Sequence, residues 1–123
     1  PSVVVAVFAA VGETEAEAEA FADTFHLWLS HAESAQPFDR LPSLETTRNH
    51  DWSMQERMVR QRNEGRLIYG TAESVASQLQ ELGRAYGTDE VMVNLMMPGE
   101  AARQTALTSL AQALEVTPQA IPA

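Results

Sequence analysis

The sequence predicts an α/β fold with parallel strands, on three observations. Residues Ser2–Val11 form a near-continuous apolar run with no polar alternation, which suits a strand buried on both faces. Strand-like runs then recur, each followed by a segment of helical periodicity, so crossovers rather than tight turns join the strands. Hairpin dipeptides such as Asn-Gly are missing from the chain.

Each element has its own signals. Gly12-Glu13-Thr14 ends the first run. Thr14 with Glu17 three residues on is a capping-box pattern, and Glu13, Glu15, Glu17 and Glu19 crowd the turn where the helix dipole favours negative charge. Phe21, Phe25, Trp28 and Leu29 follow at helical spacing, predicting a helix over 14–31. Between 32 and 50 the pattern dissolves, and Pro37 and Pro42 argue for a loop or insertion.

Trp52–Asn63 returns to helical character, with Ser53 and Glu56 as its start and Met54, Met58 and Val59 as its apolar stripe. Arg66–Tyr69 is a short strand closed by Gly70-Thr71. Thr71 caps a helix running through Val75, Leu79 and Leu82 to Tyr86, and Gly87 stops it. Glu90–Met96 is the third strand, with Met92 expected in the core. Pro98 opens the last helix, through Ala106, Leu110 and Leu114. The stretch 116–123, with Pro118 and Pro122, reads as a frayed tail.

The chain of 123 residues fits one domain. Its formal charge is −9, from 17 acidic and 8 basic residues, and every basic residue is Arg. That balance argues against nucleic acid and against an anionic membrane surface, both of which need clustered cations. With no cysteine, disulfides, thiolate nucleophiles and Cys-based metal sites are excluded. The apolar run at the N-terminus is too short to span a bilayer and has no basic residue ahead of it, so the expected location is the cytoplasm.

Three parallel strands cannot close a barrel, and an open sheet of three leaves two edges unpaired. A complete (β/α)8 barrel needs about 250 residues. The expectation is therefore a partial TIM barrel, cut from something longer and prone to self-associate.

The stretch Leu67-Ile68-Tyr69-Gly70-Thr71-Ala72-Glu73-Ser74-Val75, continuing to Leu79, resembles a segment of luciferase-like monooxygenases. Tyr86-Gly87-Thr88-Asp89-Glu90-Val91-Met92-Val93 is similar to the family's next strand, and Ala102-Arg103 through Leu110 to its closing helix. Pro1–Ala20 resembles an upstream strand and helix start, and Trp52-Ser53 with Glu56 a segment before the Gly-Thr turn. The likeness runs through nearly the whole chain in the family's order, except 32–50. Ala72 departs from it, standing where the family usually has Pro.

The resemblance implies the last three βα units of the barrel and a flavin-dependent oxidoreductase. Such an enzyme uses reduced FMN and oxygen, or a deazaflavin, on a small organic substrate. The flavin carries the chemistry while the protein orients and shields it. Sites in such barrels lie at the C-terminal ends of strands. This marks Tyr69, Gly70, Thr71 and Asn94 as cofactor-contacting positions, and assigns no catalytic residue. Most flavin contacts of the family come from earlier units, so the isolated chain is expected to bind none and to be inactive.

Two other readings stay open. One is a small non-catalytic α/β module that binds a ligand or partner and self-associates; the other is a dimeric α+β enzyme with an antiparallel sheet. Among single residues, Gly70-Thr71 reads either as an anion site or as a tight turn with a capping Thr, the cap being the commoner case. Arg62 and Arg66 read as solvated surface residues near Glu56 and Glu64. Met96, Met97 and Trp52 read as core filler before pocket lining. Asn94, polar in an apolar strand, needs either a backbone or a ligand as partner. His26, His31 and His50 do not read as a metal set, because His26 and His31 are not at the i, i+4 spacing of a zinc helix.

Overall fold

The computed structural model describes residues 5–32, 40–88 and 90–114. The tail at 116–123 lies outside the described residues, as do residues 33–39 of the expected loop. Three strands and five α-helices follow in order: β1 (Val5–Gly12), α1 (Glu15–His31), α2 (Leu44–Asn49), α3 (Met54–Arg62), β2 (Ile68–Thr71), α4 (Ala72–Tyr86), β3 (Val91–Leu95) and α5 (Glu100–Leu114), with a 3-10 turn at Glu64–Arg66.

The sheet is wholly parallel, in the order β2-β1-β3. β3 pairs along the first part of β1, from Val5↔Val91 to Ala9↔Leu95. β2 pairs along the last part, from Ala9↔Ile68 to Gly12↔Thr71. The α/β class with parallel strands is thus what the apolar run and the crossovers predicted. Three successive staves of a barrel would stand in chain order. Here β1 occupies the centre, as suits its longer and more continuously apolar sequence.

The helix starts follow their caps. The Thr14 hydroxyl accepts the Glu17 N–H at 3.1 Å, and Glu17 Oε1 accepts the Glu13 N–H at 3.0 Å. Ser53 and Glu56 complete a capping box on α3. Thr71 caps α4 by accepting the Ser74 N–H at 3.4 Å, and Gly87 ends it in the left-handed region at φ 64°.

The core joins Ala9, Ala10 and Val11 of β1 to Phe21, Ala22 and Phe25 of α1, Val75, Ala76 and Leu79 of α4, and Ala106 and Leu110 of α5. Adjacent Ala9 and Ala10 are both fully buried, so both faces of β1 are covered towards its C-terminal end. Phe25 packs against Phe8 and Trp28.

Three expectations change. Within 32–50, Leu44–Asn49 is a short helix, because Ser43 caps it and the Thr47 hydroxyl bonds back to the Ser43 carbonyl. Met54 and Met58 are 79% and 63% exposed rather than an apolar stripe. α3 buries no residue and is held instead by its capping box, its histidine contacts and the Arg60–Asp23 ion pair. Met92, expected in the core, is 57% exposed, since it lies on a half-covered face of an edge strand with Asn94.

Candidate functional site

Parallel strands all end at one side of a sheet, so chain segments leaving them converge there. In this protein Val11-Gly12 of β1, Thr71 of β2 and Met97, just past β3, border a groove of about 680 Å³. Gly12 lets the chain enter α1 at close range. A Cβ on it would lie 2.4 Å from the Ala18 nitrogen and 2.8 Å from the Thr14 carbonyl oxygen. Val11, Phe21, Met97 and Ala106 give the groove an apolar floor, while Thr71, Thr105 and Ser109 supply hydroxyls. Glu13, Glu17 and Glu73 stand around it. This lining favours an apolar or cationic group and repels a free anion.

The four expected cofactor positions do not come together. Thr71 borders the groove, and its hydroxyl is the α4 cap. Gly70 is buried beside Ser74. Tyr69 turns elsewhere and donates its hydroxyl hydrogen to Glu64 Oε1 at 2.8 Å. That bond, with burial, pushes the phenol up to about 12. Asn94 is exposed and borders a different groove, with Arg40, Met96 and Arg103. Arg103 donates to the Met97 carbonyl at 2.9 Å, fixing the turn into α5, and Met97 borders both grooves.

A second polar centre lies at the other end of α1. His31 Nε2 stands 2.6 Å from Glu56 Oε2, and His50 Nε2 stands 2.9 and 3.0 Å from the two oxygens of the same carboxylate. Glu56 is fixed further by the Ser53 N–H, donated to Oε1 at 2.7 Å. Partial burial pushes the carboxyl up, but the Ser53 amide and the two imidazoles outweigh it and hold Glu56 at about 2. His50 meets Trp52 edge-on at 5.8 Å, and the Arg60 guanidinium lies over Trp52 while also pairing with Asp23.

Sequence reasoning set aside the histidines by their spacing along one helix and did not reach this cluster. The legible part was Ser53 with Glu56, which fixes the carboxylate. His31 arrives through tertiary packing that no local pattern encodes. Glu56 therefore pairs with imidazoles rather than with Arg62 or Arg66, both of which are exposed.

His26 is separate from that cluster. It is fully buried on α1, and neither ring nitrogen has a hydrogen-bond partner among the described residues. Burial, and then the positive charge of Arg60, pull its pKa below 6.5.

No family model matches the chain. It is 36% identical over 93 residues to the uncharacterized protein YwcH of Bacillus subtilis (strain 168). It is 30% identical over 93 residues to the uncharacterized protein YceB of the same organism. Both alignments take in 76% of this chain, and the chain spans 28% of either relative's length. The crystal structure of apo-MsnO8 matches 97% of this chain with a TM-score of 0.73 at 21% identity, over 36% of its own length. This α/β arrangement of strands and helices therefore recurs as part of a longer folded chain.

Proposed function

We propose that this chain is part of a luciferase-like, flavin-dependent oxidoreductase, and that it forms one wall of the flavin and substrate pocket. The observation that carries the reading is the apolar-floored groove at the C-terminal ends of β1 and β2, where barrel enzymes place their chemistry. The extent of the matches supports it, since the chain corresponds to 28% of YwcH and YceB and to 36% of MsnO8. In this reading β1 and β3, paired over five positions, are adjacent staves of a TIM barrel. The four-residue β2 is an accessory strand along the C-terminal half of β1. Phe8 and Met92, 38% and 57% exposed on the sheet, then meet further barrel.

The groove fits the edge of an isoalloxazine ring but not a flavin phosphate. Glu13, Glu17 and Glu73 surround it, and the Ser74 amide at the start of α4 is already bonded to Thr71. The phosphate is therefore held by parts of the protein outside this chain. When bound, a reduced flavin supplies electrons to oxygen or to the substrate. The residues of this chain contribute shape, exclusion of water and the hydroxyls of Thr71 and Thr105.

The test is an FMN fluorescence titration of the product of the complete reading frame, beside its Thr105→Trp variant. Thr105 is exposed at the groove, so a Trp there fills the space without entering the core. The reading expects binding by the wild type and at least a tenfold loss in the variant, equivalent to about 1.4 kcal/mol. No FMN binding, or equal binding by both proteins, would overturn it.

A further inference from the structure

The groove at the strand ends leaves the His31–Glu56–His50 cluster unexplained. α1 runs for 17 residues, so it separates the two by about 25 Å. We propose that His31, His50 and Glu56 form a binding site for a divalent transition-metal ion, zinc being the ion whose chemistry fits, and that the ion clasps the end of α1 to the start of α3.

Both rings aim the same nitrogen, Nε2, at one carboxylate. One ligand atom from each of the three residues lies within 4.8 Å of the others. Zinc is held by imidazole nitrogen and carboxylate oxygen at about 2.0–2.2 Å, so the ligand atoms of a tetrahedral site stand about 3.3–3.5 Å apart. The contacts of 2.6–3.0 Å between each imidazole and Glu56 need to open by less than about 1 Å to admit the ion. Two imidazoles and one carboxylate suit a borderline cation better than calcium or magnesium, which prefer all-oxygen shells. Water completes the coordination, because His31 and His50 side chains are 29% and 28% exposed.

The support around the ligands matches what a metal site needs. Glu56 is oriented by the Ser53 N–H and by its place in the α3 capping box. His50 is braced by Trp52. The chain's net charge of −9 draws cations towards it. The ligands come from three places in the sequence, the end of α1, the α2–α3 link and the first turn of α3, so one ion ties together segments that share little apolar packing.

The experiment is a calorimetric titration of Zn²⁺ into the product of the complete reading frame, with its Glu56→Gln, His50→Ala and Glu81→Gln variants alongside. Gln is an accepted capping-box partner, so Glu56→Gln keeps the start of α3 while removing the anionic ligand. Glu81 is exposed on α4, away from the cluster, and controls for a general loss of charge. The proposal expects one ion per chain, an affinity lowered at least tenfold in Glu56→Gln and in His50→Ala, and no change in Glu81→Gln. Co²⁺ in place of zinc should give visible absorption bands that both ligand variants lose. Absence of binding, or binding that survives either ligand substitution undiminished, overturns the three-ligand assignment.

Discussion

The closest backbone approach beside the groove makes a severe test of the packing. Replacing Gly12 by Ala sets a Cβ 2.4 Å from the Ala18 nitrogen, 2.8 Å from the Thr14 carbonyl oxygen and 2.9 Å from the Ala18 Cα. All three are backbone atoms, so no side chain can rotate away, and the first turn of α1 must move off β1. Overpacking of this kind costs about 1–3 kcal/mol, and contact with backbone alone puts Gly12→Ala at about 3. At about 2.1 cal/mol/K per residue, unfolding 123 residues carries an entropy near ~0.26 kcal/mol/K, so Tm falls by about 12 °C. The comparison is Gly65→Ala, where the new Cβ meets nothing within 4 Å. That variant should stay within about 0.5 kcal/mol of wild type. Urea unfolding followed by far-ultraviolet circular dichroism reads both. A Gly12→Ala protein as stable as Gly65→Ala would refute the close packing of β1 against the start of α1.

Two further outcomes follow from buried or bonded titrating groups. His26 has a folded-state pKa below its unfolded value of about 6.5, so the unfolded chain binds the extra proton. Stability should then fall as pH drops below about 6.5 towards the folded pKa and show no His26 effect above it. His26→Leu should flatten that slope, and at neutral pH should equal or exceed wild type by about 1 kcal/mol, since a buried polar group with no hydrogen-bond partner among the described residues is lost; denaturant titrations across the pH range decide this. Tyr69 is raised to about 12 by its bond to Glu64 and by burial, so its contribution is present below about 10 and lost as pH rises through 12. In a Tyr86→Phe background, which leaves Tyr69 as the sole tyrosine, the phenolate absorbance should rise near 12. A midpoint near 10 would break the Tyr69–Glu64 bond from the account.

What the sequence disclosed was mostly local. β1 is legible because an unalternating apolar run needs cover on both faces, and Ala9 and Ala10 receive it. α1, α3 and α4 begin where Thr14, Ser53 and Thr71 can accept a backbone N–H, and Gly87 stops α4 by its positive φ. The short α2 escaped because six residues carry too little periodicity to stand out from the prolines before them. The methionines misled for a physical reason. Met54, Met58 and Met92 have core-like side chains, but α3 is held by polar contacts and β3 is an edge strand.

The strand order was also beyond the sequence, since chain order alone does not say on which side of β1 a strand will pair. The same limit applied to the sites. Strand-end position named Thr71 and Asn94, and the structure puts them on different grooves. Convergence of His31 and His50 on Glu56 depends on how α1 packs on α3, which no spacing rule contains.

A crystal structure of the complete reading-frame product soaked with FMN tests the central proposal most directly. The account predicts a closed parallel barrel in which β1 and β3 are neighbouring staves. The isoalloxazine edge should lie against the groove of Gly12, Thr71 and Met97, with the phosphate bound by residues outside this chain. An open sheet ending at β3, or a flavin bound away from that groove, would contradict it.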